Sequence, residues 1–218
     1  MVYENLFYNQ YAENIYSQNG EDGIIKEILA RLNINDGWVC EFGAIDGMYL
    51  SNTFALVERG FSAVFIEADR KEYIKLLDTA LKYPKITPIQ AHVDHNDTQN
   101  SLDNILKKTD IPKDFEVLSI DIDSFDYDVW KNLKDYKPKI VIIEINSSVN
   151  TDNPLYIHTP NTYQGTGFRA MYNLGVKKGY TFALHTGNMI FVRSDLFNKT
   201  GIAYENEIEN FRTKWGGR

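Results

Sequence analysis

Several things are scarce in this sequence, and each scarcity closes off a class of protein. Among 218 residues there is one cysteine, Cys40. A single thiol allows no disulfide framework within the chain and no cysteine-based zinc site. No stretch approaches the roughly 18 consecutive apolar residues of a membrane-crossing helix, so no membrane span is expected. The opening residues Met1-Val2-Tyr3-Glu4-Asn5 lack a basic region followed by an apolar run. They do not read as a signal peptide, and a cytoplasmic location is expected. Positive charge is short as well: 23 Lys and Arg stand against 30 Asp and Glu, a formal charge of −7. That balance speaks against nucleic acid or an anionic membrane as partner. There is no internal repeat, no low-complexity tract and no Pro/Gly/Ser linker, so residues 1–218 are read as one domain.

What the chain has is alternation. Short runs rich in Val, Ile and Phe recur at Trp38–Phe42, Ala63–Ile66, Ile86–Val93, Val117–Ile122, Ile140–Ile145, Tyr180–Leu184 and Met189–Val192. Each has strand length, and several lack polar alternation, as central strands covered on both faces do. Amphipathic stretches lie between them. Ile24, Ile25, Ile28, Leu29 and Leu32 share one helical face, and Ile74, Leu77 and Leu81 are read as another. Strand–helix alternation predicts an α/β fold, a doubly wound, mostly parallel sheet. The last two runs are separated only by His185-Thr186-Gly187-Asn188, too short for a crossover, so they predict an antiparallel hairpin. His185 is expected to be solvated in that turn. The result is a seven-stranded Rossmann-like sheet ending in an antiparallel hairpin.

In such sheets ligands sit beyond the carboxyl ends of the strands. The first strand runs into Glu41-Phe42-Gly43-Ala44-Ile45-Asp46-Gly47, where Gly43 and Gly47 allow a tight turn. The spacing is not that of a GxGxxG dinucleotide loop, and Glu41 would repel a phosphate. The second strand ends in Glu67-Ala68, and a carboxylate there can accept from both hydroxyls of a ribose. A ligand with a ribose and a cationic centre but no phosphate fits; S-adenosylmethionine is one.

The chain resembles the FkbM-type family of S-adenosylmethionine-dependent methyltransferases. The likeness is carried by Ser17-Gln18-Asn19-Gly20-Glu21-Asp22-Gly23, Cys40–Gly47, Ser51-Asn52-Thr53, Phe65–Ala68, Ser119–Asp123 and Ile143–Asn146. It implies that Glu41, Gly43, Asp46 and Gly47 hold the methionine part of the cofactor, with Thr53 beside them. Glu67 and Ala68 would hold the ribose, and Val93 and Asp94 would border the adenine. Gln18 would reach over the cofactor, and Asp121 would approach it from the fourth strand. The family mostly methylates hydroxyl oxygens, often of sugars. A carbohydrate or nucleotide-sugar acceptor follows, and a homodimer is compatible.

Acidic residues gather after the fourth and fifth strands. Asp121 and Asp123 share a face if the strand persists, and Glu144 and Asn146 do the same next door. Converging carboxylates repel unless a cation offsets them. Oxygen ligands suit Mg²⁺ or Mn²⁺, so Asp121, Asp123, Glu144 and Asn146 are the expected metal ligands. Metal-bound hydroxyls lose their proton more easily, and Asp123 or His158 is positioned by sequence to take it. Asp126 and Asp128 read as first-turn helix acids. His158 lies in a long polar segment, residues 147–165, expected to be the acceptor-side loop, with Tyr156 and Tyr163 near the sugar. The aromatic residues 1–19 are expected to form a helical extension packed on the sheet. A metal-dependent hydrolase, or a nucleotide-sugar-modifying enzyme on the same fold, is the alternative.

Overall fold

The computed structural model describes residues 6–96, 98–150, 152–160 and 165–203. Seven strands form one sheet: β1 (Trp38–Phe42), β2 (Ser62–Glu67), β3 (Ile86–Gln90), β4 (Val117–Ile120), β5 (Ile140–Glu144), β6 (Tyr180–His185) and β7 (Asn188–Arg193). Their spatial order is β3-β2-β1-β4-β5-β7-β6. The first five are parallel, and β7 runs antiparallel to both β5 and β6. The chain winds from β1 outward to β3, then returns to place β4 on the other side of β1. That reversal opens a crevice above the carboxyl ends of β1 and β4.

Side-chain alternation divides the core into two layers. In β1, Cys40 and Phe42 face a layer built on Phe115, Trp130, Phe168, Phe182 and Phe191. Val39 faces the other, built on Ile24, Ile28, Phe54, Phe61 and Leu184. Both faces of the central strands are covered, which is why their sequences are apolar on both faces, with Glu41 in β1 and Ser119 in β4 as the polar exceptions. Helices α1 (Leu6–Tyr11), α2 (Glu21–Arg31), α3 (Phe54–Glu58), α4 (Arg70–Lys82), α5 (Leu102–Leu106), α6 (Asp126–Asn132), α7 (Phe168–Lys177) and α8 (Ser194–Phe197) supply the layers.

The apolar face read for α2 is the buried one: Ile24, Ile25, Ile28 and Leu29 are all buried. The face read for α4 is not. Ile74, Leu77 and Leu81 point outward, with Leu81 84% exposed. Leu76 is buried instead, and Tyr73, Ala80 and Tyr83 pack beside it. That second stripe has the same helical spacing, so three aliphatic residues could not decide between the two. Strands three and four also end earlier than their apolar runs, at Gln90 and Ile120.

Among the described residues of the expected N-terminal extension, Leu6–Tyr11 form a helix. Beyond Tyr11 the chain is shaped by two acids of α2. Asp22 Oδ2 accepts from the backbone N–H of Ile15, Tyr16 and Ser17 and from the Ser17 hydroxyl. Glu21 accepts from the Asn19 N–H and the Thr186 hydroxyl, tying this segment to the β6–β7 turn.

Candidate functional site

The crevice is built from the ends of β1, β2, β4 and β5. Glu41, the fourth residue of β1, is 5% exposed. It accepts from the hydroxyls of Ser51 (2.7 Å) and Thr53 (2.5 Å) and from the Asn52 N–H (3.2 Å). Burial pushes its carboxyl upward, and those hydrogen bonds oppose the shift. Glu41 therefore fixes the segment entering α3, and Thr53 serves Glu41 rather than the crevice.

After β1 the backbone turns sharply. Gly43 has φ +72, and a β-carbon there would meet the backbone carbonyl of Asp121. This is a close passage between the β1 and β4 loops that only glycine allows. Ile45 sits at φ +52, a left-handed conformation that β-branched residues rarely adopt. It is held there by its N–H, which donates to Glu67 Oε2 at 2.7 Å, while the Asp69 N–H donates to Glu67 Oε1 at 2.7 Å. Leu50 and Asp123 are also left-handed, and all three strained residues line the cavity. Such concentration is typical of functional sites, where strain persists because the surroundings over-determine it.

On the other side of the crevice, β4 stops at Ile120, so Asp121 and Asp123 do not meet by strand alternation. They meet through a turn organised by Asp126, which is 1% exposed. Its carboxylate accepts from the Ile122 N–H (2.9 Å) and the Ser124 N–H (3.0 Å). Asp126 stands in the first turn of α6, as read from the sequence, and is in addition a buried anchor that burial pushes up to about 6. The turn brings Asp121, Asp123 and Glu144 together, with oxygens within 4.8 Å of one another. Burial first, then repulsion from Asp126 and Asp123, raises Asp121 to about 7. Burial and repulsion from Asp121 and Asp123 raise Glu144 to about 8.

These groups surround a cavity of about 670 Å³. Of the expected site residues, Gln18, Glu41, Gly43, Glu67, Ala68, Val93, Asp121, Asp123 and Glu144 line it. Asp46, Gly47, Thr53, Asp94, Asn146 and His158 do not. Asp46 accepts from the N–H groups of Met48 and Tyr49, closing a turn. Gly47 (φ +85) packs beneath Leu76 and Phe65. Asp94 accepts from the Asn96 N–H and the Thr98 hydroxyl within its own loop. Asn146 Oδ1 accepts from the Ser148 N–H and hydroxyl, away from the acidic trio.

His95 and Phe125 form an aromatic wall of the cavity, and His158 backs it from outside. The His95 ring stacks on Phe125 at 3.9 Å and an interplanar angle of 9°. His158 meets the same Phe125 edge-on at 4.8 Å. Its Nδ1 is buried without a hydrogen-bond partner, and its backbone N–H donates to Thr166 Oγ1. Tyr163 lies outside the described residues. His185 is not solvated: it is fully buried at the end of β6, with Nε2 3.1 Å from Ser147 Oγ. Phe125 and Asp126 escaped the sequence reading because Phe and Asp at the start of a helix look like core and cap. A hint was there: the sequence places Phe125 between two acids that flank a chain reversal.

No family model matches the chain, and no curated protein matches it. Solved structures do. Over 83% of this chain and 57% of the other, it superposes on the CurJ carbon methyltransferase with TM-score 0.54 at 10% identity. The fold is that of the S-adenosylmethionine-dependent methyltransferases. Weaker likenesses include TrmK of M. capricolum bound to S-adenosylhomocysteine, at TM-score 0.46 and 11% identity over 76% of this chain and 67% of that one. Another is the N-terminal domain of EvdMO1 with S-adenosylhomocysteine and D-fucose, at TM-score 0.47 and 9% identity over 79% and 80%. At these identities the shared property is the fold. Among the described residues no helix is long and apolar enough to cross a membrane.

Proposed function

We propose that the chain is an S-adenosylmethionine-dependent O-methyltransferase of the FkbM type that methylates a sugar hydroxyl with the help of a divalent cation. The observation that carries this reading is the cavity at the β1–β4 reversal of a methyltransferase fold, walled by carboxylates and with no Lys or Arg among the described residues that line it. A donor with a sulfonium, an ammonium and a ribose suits such a lining, and a pyrophosphate does not. Glu67 presents its carboxylate from the end of β2, where a ribose diol would bind. Gly43 lets the backbone approach the amino-acid tail. Ala68, Ala91 and Val93 offer an apolar rest for the adenine.

In the transfer the S–CH₃ bond breaks and its electron pair stays on sulfur. The new O–CH₃ bond forms from an acceptor oxygen lone pair, and the acceptor proton passes to a base. Asp123, exposed at the cavity rim, is placed to take that proton. His158 stands behind Phe125, outside the cavity lining, and is the lesser candidate for that base. The stacked pair of His95 and Phe125 offers an aromatic surface in the cavity for the apolar face of a sugar. Asp121, Asp123 and Glu144 fit a hard divalent cation, because three closely set carboxylate oxygens are its preferred donors. Such an ion would lower the pKa of a coordinated hydroxyl.

Calorimetry tests the donor site. Wild-type protein is expected to bind S-adenosylmethionine with micromolar affinity, and Glu67→Ala to bind none. Absence of binding by folded wild-type protein would refute the reading. The competing metal-dependent hydrolase shares the acidic trio. It would be favoured by phosphoester turnover with added Mn²⁺ and no methyl donor.

A further inference from the structure

Hairpin turns ordinarily lie at the surface, where water satisfies their backbone groups. The turn between β6 and β7 does not. His185 and Thr186 are fully buried, and Asn188 is 7% exposed. Two other segments meet the polar atoms of this turn. On one side, the Thr186 hydroxyl donates to Glu21 Oε1 at 2.6 Å, and Asn188 Nδ2 lies 3.5 Å from the same oxygen. Glu21 is itself fully buried, and its Oε2 accepts the Asn19 N–H at 2.8 Å. The Asn19 amide also packs on Gly187, where a β-carbon would collide with it. Asn19 follows Gln18, which lines the cavity. On the other side, His185 Nε2 stands 3.1 Å from Ser147 Oγ, where the long segment after β5 begins. Asn188 is paired in register with Glu144 of the acidic trio. One buried turn therefore touches both the wall that bears Gln18 and the wall that bears Glu144.

We propose that this turn is a splint for the crevice: Thr186 is a positioning residue for the donor, and His185 for the acceptor-side loop. Thr186 acts through Glu21 on the wall bearing Gln18, and His185 acts through Ser147. The inference rests on the donor reading above and extends it to side chains that touch no ligand. The Thr186 hydroxyl is the part that matters. Valine has nearly the same shape, but it leaves Glu21 Oε1 with only the longer contact to Asn188, so the carboxylate loses the bond that fixes its direction. Because both walls hang on adjacent residues of one turn, ordering of the first by the donor reaches the second. A claim of coupling requires that a change at the turn alter both walls.

Calorimetry and hydrogen–deuterium exchange on the full chain test this, with folding checked by circular dichroism. Thr186→Val is expected to weaken S-adenosylmethionine binding at least about tenfold, and Thr186→Ser, which keeps the hydroxyl, to bind within about twofold of wild type. Saturating S-adenosylhomocysteine should slow amide exchange in residues 145–150 of wild type and of Thr186→Ser. That slowing should be absent in Thr186→Val and in Ser147→Ala. Ser147 is only half-buried, so its variant keeps the test decisive if the valine variant does not fold. Donor affinity unchanged in folded Thr186→Val, equal weakening in Thr186→Ser, or slowing that survives Ser147→Ala would overturn the splint and leave the donor site standing. Absence of donor binding by folded wild-type protein would remove the donor reading and the splint with it.

Discussion

His185 offers a sharp stability test. The side chain is fully buried at the end of β6. Burial pushes its pKa down from 6.5 to about 4, against a smaller opposing effect from a hydrogen bond with the Gly187 backbone. The unfolded chain takes up a proton near pH 6.5, whereas the native state resists until near pH 4. Stability is therefore lost as pH falls through that window and is unaffected well above it. Linkage puts the loss at about 2 kcal/mol between about pH 7 and about pH 5, and near 3 kcal/mol in full. The carboxyls of Asp121, Asp126 and Glu144 work the other way, because their raised pKa values make the native state the better proton binder as pH falls. Wild-type curves alone thus mix opposing slopes. The decisive measurement is a difference: urea unfolding of wild type and of His185→Gln across that pH range. Glutamine keeps a polar atom for Ser147 and cannot titrate. The variant's advantage should grow by about 2 kcal/mol toward acid pH. Parallel curves would refute the claim that His185 is buried and neutral.

Other predictions follow from single contacts. Gly43→Ala forces a β-carbon against the Asp121 carbonyl at positive φ, and should cost on the order of 2 kcal/mol or more in denaturant unfolding and weaken donor binding. Asp126→Asn replaces one of two accepting oxygens by a donor facing an N–H. A loss of about 1–3 kcal/mol is expected, together with reduced methyl transfer. Asp22→Asn disturbs an oxygen that gathers four hydrogen bonds, and thermal unfolding should register about 2 kcal/mol. Ile45→Gly removes left-handed strain worth about 1–2 kcal/mol; a clear destabilisation would show that packing of the isoleucine outweighs it.

The sheet was legible because its signal is redundant. Each strand is centred on an apolar run, broken at most by single polar residues such as Glu41 and Ser119, and the four-residue gap between the last two runs admits only a hairpin. The acidic trio was legible because carboxylates directly after such runs must lie on the carboxyl edge. What escaped was whatever depends on where a side chain turns. Asp94 and Asn146 carry the right chemistry at the right height, yet each bends back to cap its own loop. Asp126 looked like an ordinary helix acid, although it stands three and four residues before Val129 and Trp130, on the helical face that those residues bury. On α4, two apolar stripes of equal period compete, and contact with the Gly47 loop selects the one through Leu76. His185 was misplaced by a single strand residue, enough to exchange water for the core.

The bonds from Glu21 to Thr186 and from Arg31 to the Thr200 carbonyl join positions 165 and 169 residues apart. A growing polypeptide makes the segment bearing Gln18 early but cannot fasten it until the closing hairpin has been synthesised. Contacts of such long range delay folding, so the rim beside Gln18 is set only after Thr186 and Thr200 have been synthesised. A ribosome-bound fragment ending before β6 would present the central strands with that rim still loose.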